Sequence, residues 1–296
     1  MNKGILNAIG AYVLWGLLPV YWKWLHHVPA AQVLCHRILF SFLTLFVIIL
    51  LLRQWKAFRQ ALSNPRVVCA YTVAAILISI NWFTYIWAVT AGFIIETSLG
   101  YFINPLLSVL LGVVIFRERL RPWQWAAIAL AAGGVAYLTV AYGALPFIAL
   151  TLAVTFGLYG LVKKIAPLGS LHGLTLETGV LLLPALIFLI YSDRAGNGAI
   201  FHAGALTDAL LMGAGIITAA PLLLFSSAAR RIPLSLIGIL QYIAPTLQFL
   251  LGVFVYNEPF TLTKFIGFGI VWLALIIYGA EGLLIHKGHM FPVVAE

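Results

Sequence analysis

Charged and turn-forming residues cut this 296-residue chain into long apolar runs, and the pattern predicts ten helices. In the first half these are Gly4–Leu25, Val33–Leu52, Val68–Thr90, Ile94–Phe116 and Trp123–Ala141. In the second half they are Leu145–Val162, Gly173–Tyr191, Leu206–Ala228, Leu234–Tyr256 and Leu262–Ile285. About 20 apolar residues in a helix match the thickness of a bilayer's hydrocarbon core. Ten such spans take roughly 200 residues and leave only short connectors, with no room for a water-soluble catalytic or binding domain. The expected fold is all-α and integral to the membrane. Between the fifth and sixth helices stand only Tyr142, Gly143 and Ala144, which divide the chain into units 1–142 and 143–296.

Composition agrees. Hydrophobic residues make up 63% of the chain and charged residues only 8%, with mean hydropathy +1.07. Soluble domains carry about 25% charged residues, so a soluble globular protein, a disordered chain and a disulfide scaffold are all excluded. A net charge of +9 raises the question of nucleic acid. The cations are dispersed over loops, without a basic face or interleaved aromatics, and that partner is excluded too. Cys35 and Cys69 form no CxxC or metal spacing and read as small core residues. The apolar stretch beginning at Gly4 is longer than a signal-peptide core, so it is expected to stay as the first span.

With a cytoplasmic N-terminus, thirteen Lys and Arg residues fall on inside segments: Lys3, Arg53, Lys56, Arg59, Arg66, Arg117, Arg119, Arg121, Lys163, Lys164, Arg230, Arg231 and Lys287. Only Arg194 and Lys264 fall outside, while Lys23 and Arg37 sit at span edges. This positive-inside bias predicts an even number of spans and both termini in the cytoplasm.

A shift of 140 residues aligns Tyr101–Glu118 with Gln241–Glu258 at eight identities, among them Pro105/Pro245, Gly112/Gly252 and Glu118/Glu258. A weaker echo links Trp15-Gly16-Leu17 to Phe156-Gly157-Leu158. Each half carries five spans, an odd number, so the halves must thread the membrane in opposite senses. Inverted repeats are the architecture of many secondary transporters, with a midplane site where the repeats meet.

The motifs along the chain are Tyr12-Val13-Leu14-Trp15-Gly16, His36-Arg37, Asn81-Trp82 with Trp87-Ala88, Glu96 through Pro105, and Arg117-Glu118-Arg119-Leu120. This pattern resembles the drug/metabolite transporter superfamily, specifically bacterial permeases with two EamA-type repeats, over the whole chain. The resemblance implies a ten-helix fold in the cell inner membrane with a central cavity, moving small organic solutes outward. It leaves the substrate open.

Thr97, Tyr101, Asn104 and Ser108 fall on one face of the fourth helix, and the repeat places Ile237, Gln241, Ala244 and Gln248 at matching positions of the ninth. Polar groups in lipid turn toward protein or water, so these stripes line either a cavity or a helix–helix contact. Pro105, Pro245 and Pro19 each remove a helical N–H, freeing the carbonyls of Tyr101, Gln241 and Trp15. Asn81 and Tyr85 lie four apart on the third helix. Cavity aromatics suit a flat or amphipathic solute. Trp15, Asn81, Tyr85, Tyr101, Asn104, Gln241 and Gln248 are therefore the expected substrate contacts.

Glu96, Arg37, Pro105 and Pro245 are the expected coupling or gating residues. Burial would make Glu96 a protonatable coupling carboxylate, and a headgroup-level position would make it a support for the helix start. Trp22, Trp24, Trp123 and Trp125 read as interfacial belt, and His36 as an edge residue. Glu177 is read at the inner opening of the seventh helix, and Glu281 toward the inner end of the tenth. Glu118 and Glu258 read as supports for the helix that follows each.

The sequence holds no HExxH, G-x-S-x-G, Walker loop or zinc cluster. No enzyme activity, cofactor or metal is expected. The expected partners are a small organic solute, the bilayer and, as a candidate coupling ion, protons. The alternatives are a passive pore, an intramembrane enzyme and a non-transporting subunit.

Overall fold

Twelve helices account for the regular structure in a computed structural model that describes residues 2–90, 94–143, 147–256 and 261–288; within these, side chains at 89–90, 94–98, 142, 264 and 282–288 are not described. They are α1 (Lys3–Trp24), α2 (Ala30–Leu51), α3 (Trp55–Leu62), α4 (Pro65–Thr90), α5 (Ile94–Phe116), α6 (Pro122–Tyr142), α7 (Phe147–Ile165), α8 (Ser170–Arg194), α9 (Ala205–Ala229), α10 (Leu234–Gln241), α11 (Ile243–Phe254) and α12 (Leu262–Gly288). Among the described residues nine segments are long and apolar enough to cross a membrane, α10 and α11 counting as one, and α12 adds the apolar run Phe265–Glu281. The chain is an all-α integral membrane protein.

Two elements differ from the expectation. Helix α3 is short and amphipathic: Trp55, Phe58 and Leu62 recur at helical spacing, Phe58 is buried, and Lys56 and Arg59 are exposed. A search for 20-residue apolar runs passes over it. The ninth span breaks at Tyr242 into α10 and α11. Three residues later Pro245 supplies no N–H to the Gln241 carbonyl, so the ladder fails there. Helix α5 stays continuous through Pro105.

Packing follows the duplication. Helix α5 packs on α7 as α10 and α11 pack on α1, and α4 packs on α7 as α9 packs on α1. Helices α2 and α8 face each other, as do α6 and α12. Close approaches are duplicated too. A Cβ on Gly16 would lie 2.7 Å from Leu247, and one on Gly157 would lie 3.0 Å from Leu107, its counterpart in the other repeat. These glycines let α1 and α7 seat directly on leucine side chains, the close small-residue packing used inside membranes.

Some equivalent residues touch one another. The Trp15 and Phe156 rings meet at 5.7 Å, and the Tyr242 hydroxyl donates to the Phe102 carbonyl at 3.2 Å. Such pairs sit beside the pseudo-twofold axis that relates the five-span repeats. With five spans in each, the repeats thread in opposite senses.

Candidate functional site: a cavity at the repeat seam

A cavity of about 130 Å³ lies between the two repeats, with Trp15 and Phe156 both in its lining. It is lined from α1 by Tyr12, Trp15, Pro19 and Trp22, from α2 by Arg37, and from α4 by Asn81, Trp82 and Tyr85. Tyr101 and Asn104 of α5, Phe156 of α7, Gln241 of α10 and Pro245 and Gln248 of α11 complete it. The cavity occupies the half of the bundle toward the face where α1 and α4 end and α2, α5 and α7 begin. All seven expected substrate contacts, with Arg37 and Pro245, converge on it. Pro105 stands one residue beyond, its carbonyl against Gly238 of α10. The Glu96 side chain and Glu258 lie outside the described residues.

The polar groups differ in how far they are committed. The carbonyl of Trp15, freed by Pro19, accepts from Gln248 Nε2 at 3.2 Å, so Gln248 ties α11 to α1. Asn81 Nδ2 donates to the Leu152 carbonyl at 2.8 Å and to Thr155 Oγ1 at 3.0 Å, which joins α4 to α7. By contrast, Asn104 Oδ1 and Gln241 Oε1 are buried and meet no donor among the described residues. Polar atoms so placed are rare in proteins and point to a missing partner. Tyr85 and Tyr101 meet edge to face at 5.9 Å.

Several charged and aromatic residues stand elsewhere than their sequence position suggests. Arg37 is not at a span edge. Helix α2 starts at Ala30, not Val33, so Arg37 lies seven residues in, roughly 10 Å along the helix. Its guanidinium carbon sits 4.6 Å from the Trp22 ring and 4.9 Å from Trp82, and its Nε donates to Thr218 Oγ1 at 2.9 Å. Trp22 is thus cavity wall, whereas Trp24, Trp123 and Trp125 are exposed at span ends. His36 is buried within α2, its Nδ1 2.8 Å from the Gln32 carbonyl. Cys69 is exposed on the bundle surface and is not core.

An ion pair that sequence reasoning missed lies in the opposite half. Lys163 Nζ meets Glu177 Oε1 at 2.5 Å, both side chains buried, and Tyr159 donates to Glu177 Oε2 at 3.0 Å. Tyr71 and Tyr159 rings flank the ammonium at 5.4 and 5.7 Å. Lys163 belongs to the last turn of α7 and is buried, not in a loop. A shift of 140 residues takes Arg37 onto Glu177, and the Trp15/Phe156 alignment takes Trp22 onto Lys163. The two repeats therefore place Arg37 beside Trp22 on one face and Glu177 beside Lys163 on the other. One is open to the cavity and the other is closed.

Aromatic rings separate the two. Phe225 meets Trp15 at 5.6 Å, Phe156 at 5.3 Å and Tyr12 at 6.4 Å, and it stacks on Tyr159 at 6.0 Å. Below these rings Glu118 ties α5 to α10 across the seam. Arg117, with φ 54°, ends α5 in a left-handed turn, and the Glu118 N–H bonds the Gly112 carbonyl six residues back at 3.2 Å. The carboxylate then accepts from the Leu234 N–H at 2.7 Å, the Ser235 N–H at 2.9 Å and Ser235 Oγ at 2.6 Å. It supports a helix start, but that of α10 in the other repeat, not the following α6. Glu281 of α12 pairs with Arg121, which joins α12 to the start of α6.

Comparison with known proteins agrees with this architecture. The model of the EamA-like transporter family matches twice, at residues 2–140 and 145–280. An uncharacterized transporter of Bacillus subtilis, YojE, is 46% identical over 280 residues, covering 94% of this chain and 93% of its own. Protein RarD of Escherichia coli is 40% identical, with 95% of each chain covered, and the chloramphenicol-sensitive protein RarD of Pseudomonas aeruginosa is 31% identical, with 94% of each. A solved crystal structure superposes with TM-score 0.68 at 18% identity over 93% of this chain and 96% of that one, a likeness of fold. Two matches to one family model, laid over two five-span repeats that close on a shared cavity, place this multi-pass membrane protein in the EamA-like transporter family.

Proposed function

We propose that the chain is a secondary transporter that carries a small amphipathic organic solute by alternating access around the seam cavity. The observation that carries this reading is the convergence of both repeats' polar stripes on one cavity whose opposite end is sealed by rings and by Glu118. A through-pore would need both ends open together. A carrier needs one end shut, and each repeat here supplies an equivalent end to open. The positive-inside distribution supports cytoplasmic termini, and on that orientation the open side faces the exterior in this state. Rocking the repeats about their axis would exchange the two ends. The units 1–142 and 143–296 are the bodies that move. In this reading Pro105 and Pro245 loosen the gate helices, and Arg37 stands at the open gate.

The test is flux of a labelled solute panel in proteoliposomes, with and without an imposed pH gradient. Saturation and trans-stimulation are expected, and acceleration by the gradient would assign protons as coupling ion. Asn104→Leu and Gln241→Leu are each expected to lower the transport rate at least about tenfold, by removing a hydrogen bond made inside a low-dielectric site, while the purified protein elutes and melts as wild type. Unsaturable flux without trans-stimulation would sink the carrier reading.

A further inference from the structure

We infer that the transported solute is an organic anion with a flat apolar body and a hydrogen-bond donor: its oxyanion docks on Arg37, and its donor reaches Asn104 or Gln241. This deepens the transporter reading and rests on it. The charge distribution carries the argument. Arg37 is the cavity's charged residue among the described lining. Every described carboxylate is engaged away from it. Glu177 holds Lys163, Glu118 caps α10, Glu281 holds Arg121, Asp193 faces His202 at 3.2 Å, and Asp208 accepts the Phe201 N–H at 2.8 Å.

A guanidinium inside a membrane protein ordinarily has an anionic or carbonyl partner. Here, among the described residues, two indole faces, one threonine hydroxyl and the nearby phenols of Tyr85 and Tyr101 surround it, and no carboxylate does. The indoles hold the planar fork in orientation and leave its edge for a bidentate oxyanion. Trp22, Trp82, Tyr85 and Trp15 supply the surface on which a flat ring stacks. Lys23, 3.6 Å from the Tyr256 ring at the end of α1, adds a cation on the face where the cavity opens.

The second observation is independent of charge. Asn104 Oδ1 and Gln241 Oε1 are buried acceptors without donors among the described residues, contributed by α5 of one repeat and α10 of the other. A bound solute with an O–H or N–H group would satisfy them, and a solute without one would leave them stranded. The pocket therefore asks for an anion at one point and a donor at another.

The experiment measures equilibrium binding to the detergent-purified full chain by calorimetry with four probes of one size. These are 3-phenylpropanoate, its neutral amide, 3-phenylpropylamine and 3-phenyllactate, which adds a hydroxyl donor. The acid is expected to bind at least about tenfold more tightly than the amide or the amine, and phenyllactate more tightly still. Arg37→Gln should bring acid and amide together, Arg37→Lys should retain the acid's advantage, and Asn104→Leu with Gln241→Leu should erase the gain from the hydroxyl.

Binding of the amide or amine as tight as the acid, no binding of either acid, or an acid preference that survives Arg37→Gln would each overturn the inference. The wild-type ranking decides even where a variant misfolds. Saturable counterflow of a cation with no anion bound would overturn the anion and leave the transporter standing. Anion binding with no counterflow of any solute would do the reverse.

Discussion

Glu177→Leu is expected to lower stability by about 3–5 kcal/mol, the cost of leaving one member of a buried ion pair without its partner. Lys163 would be left between the Tyr71 and Tyr159 rings without its carboxylate partner. Lys163→Met should do comparable harm by stranding the carboxylate, which would retain only the Tyr159 hydroxyl. The double variant Lys163→Met/Glu177→Leu should recover most of the loss, because apolar replacement of both members of a buried pair is often close to neutral. Thermal and chaotrope unfolding of the purified protein in detergent measures all three. A double variant as unstable as the worse single one would show that the pair's surroundings, not its charges, set the cost. The same substitutions bear on the closed half of the seam, since Glu177 binds the ring that stacks on Phe225.

The second large effect belongs to Glu118. Its carboxylate satisfies two N–H groups at the start of α10 and one hydroxyl. Helix starts leave such donors unpaired, and an anion there also meets the positive end of the helix dipole. Loss of a single capping side chain costs about 0.5–2 kcal/mol, and this one is charged and links α5 to the opposite repeat. Glu118→Ala is expected to cost about 2 kcal/mol and to raise access to the seam from the amino-terminal face. Gly112→Ala should mimic it, because a Cβ there would lie 2.6 Å from the carboxylate oxygen. Hydrogen exchange at Leu234 and Ser235 reads the effect locally. Unchanged protection in both variants would remove Glu118 from the closing contacts.

Much of the architecture is legible in the sequence because lipid enforces one rule: long apolar runs become helices, since no other local structure satisfies its own backbone. Periodicity likewise brought Tyr101, Asn104, Gln241 and Gln248 to one seam, because a stripe on a helix has only one side. What escaped were properties of partners. Lys163 reads as a loop cation until Glu177 is seen across the turn between α7 and α8. Trp22 reads as belt until Arg37 lies on it, and Glu118 reads as support for its neighbour in sequence until α10 arrives from the other repeat. In each case the nearest residue in the chain is not the nearest in space. The repeat did hold a clue. The shift that pairs Arg37 with Glu177 sets a cation with no carboxylate partner among the described residues against a paired anion, and that contrast follows the two halves of the seam. The break at Tyr242 was harder to read, since Pro105 carries the same lesion without one.

Two-sided accessibility of one cavity residue tests the central claim most directly. With Cys35 and Cys69 replaced by alanine, Asn104→Cys would be exposed to a membrane-impermeant thiol reagent in right-side-out and in inverted vesicles, each loaded with glutathione. Alternating access predicts modification from both faces, at rates that change in opposite directions when one face is favoured, with the internal glutathione untouched. A thiol unreachable from either side, or reagent passing through to consume the glutathione, would contradict it.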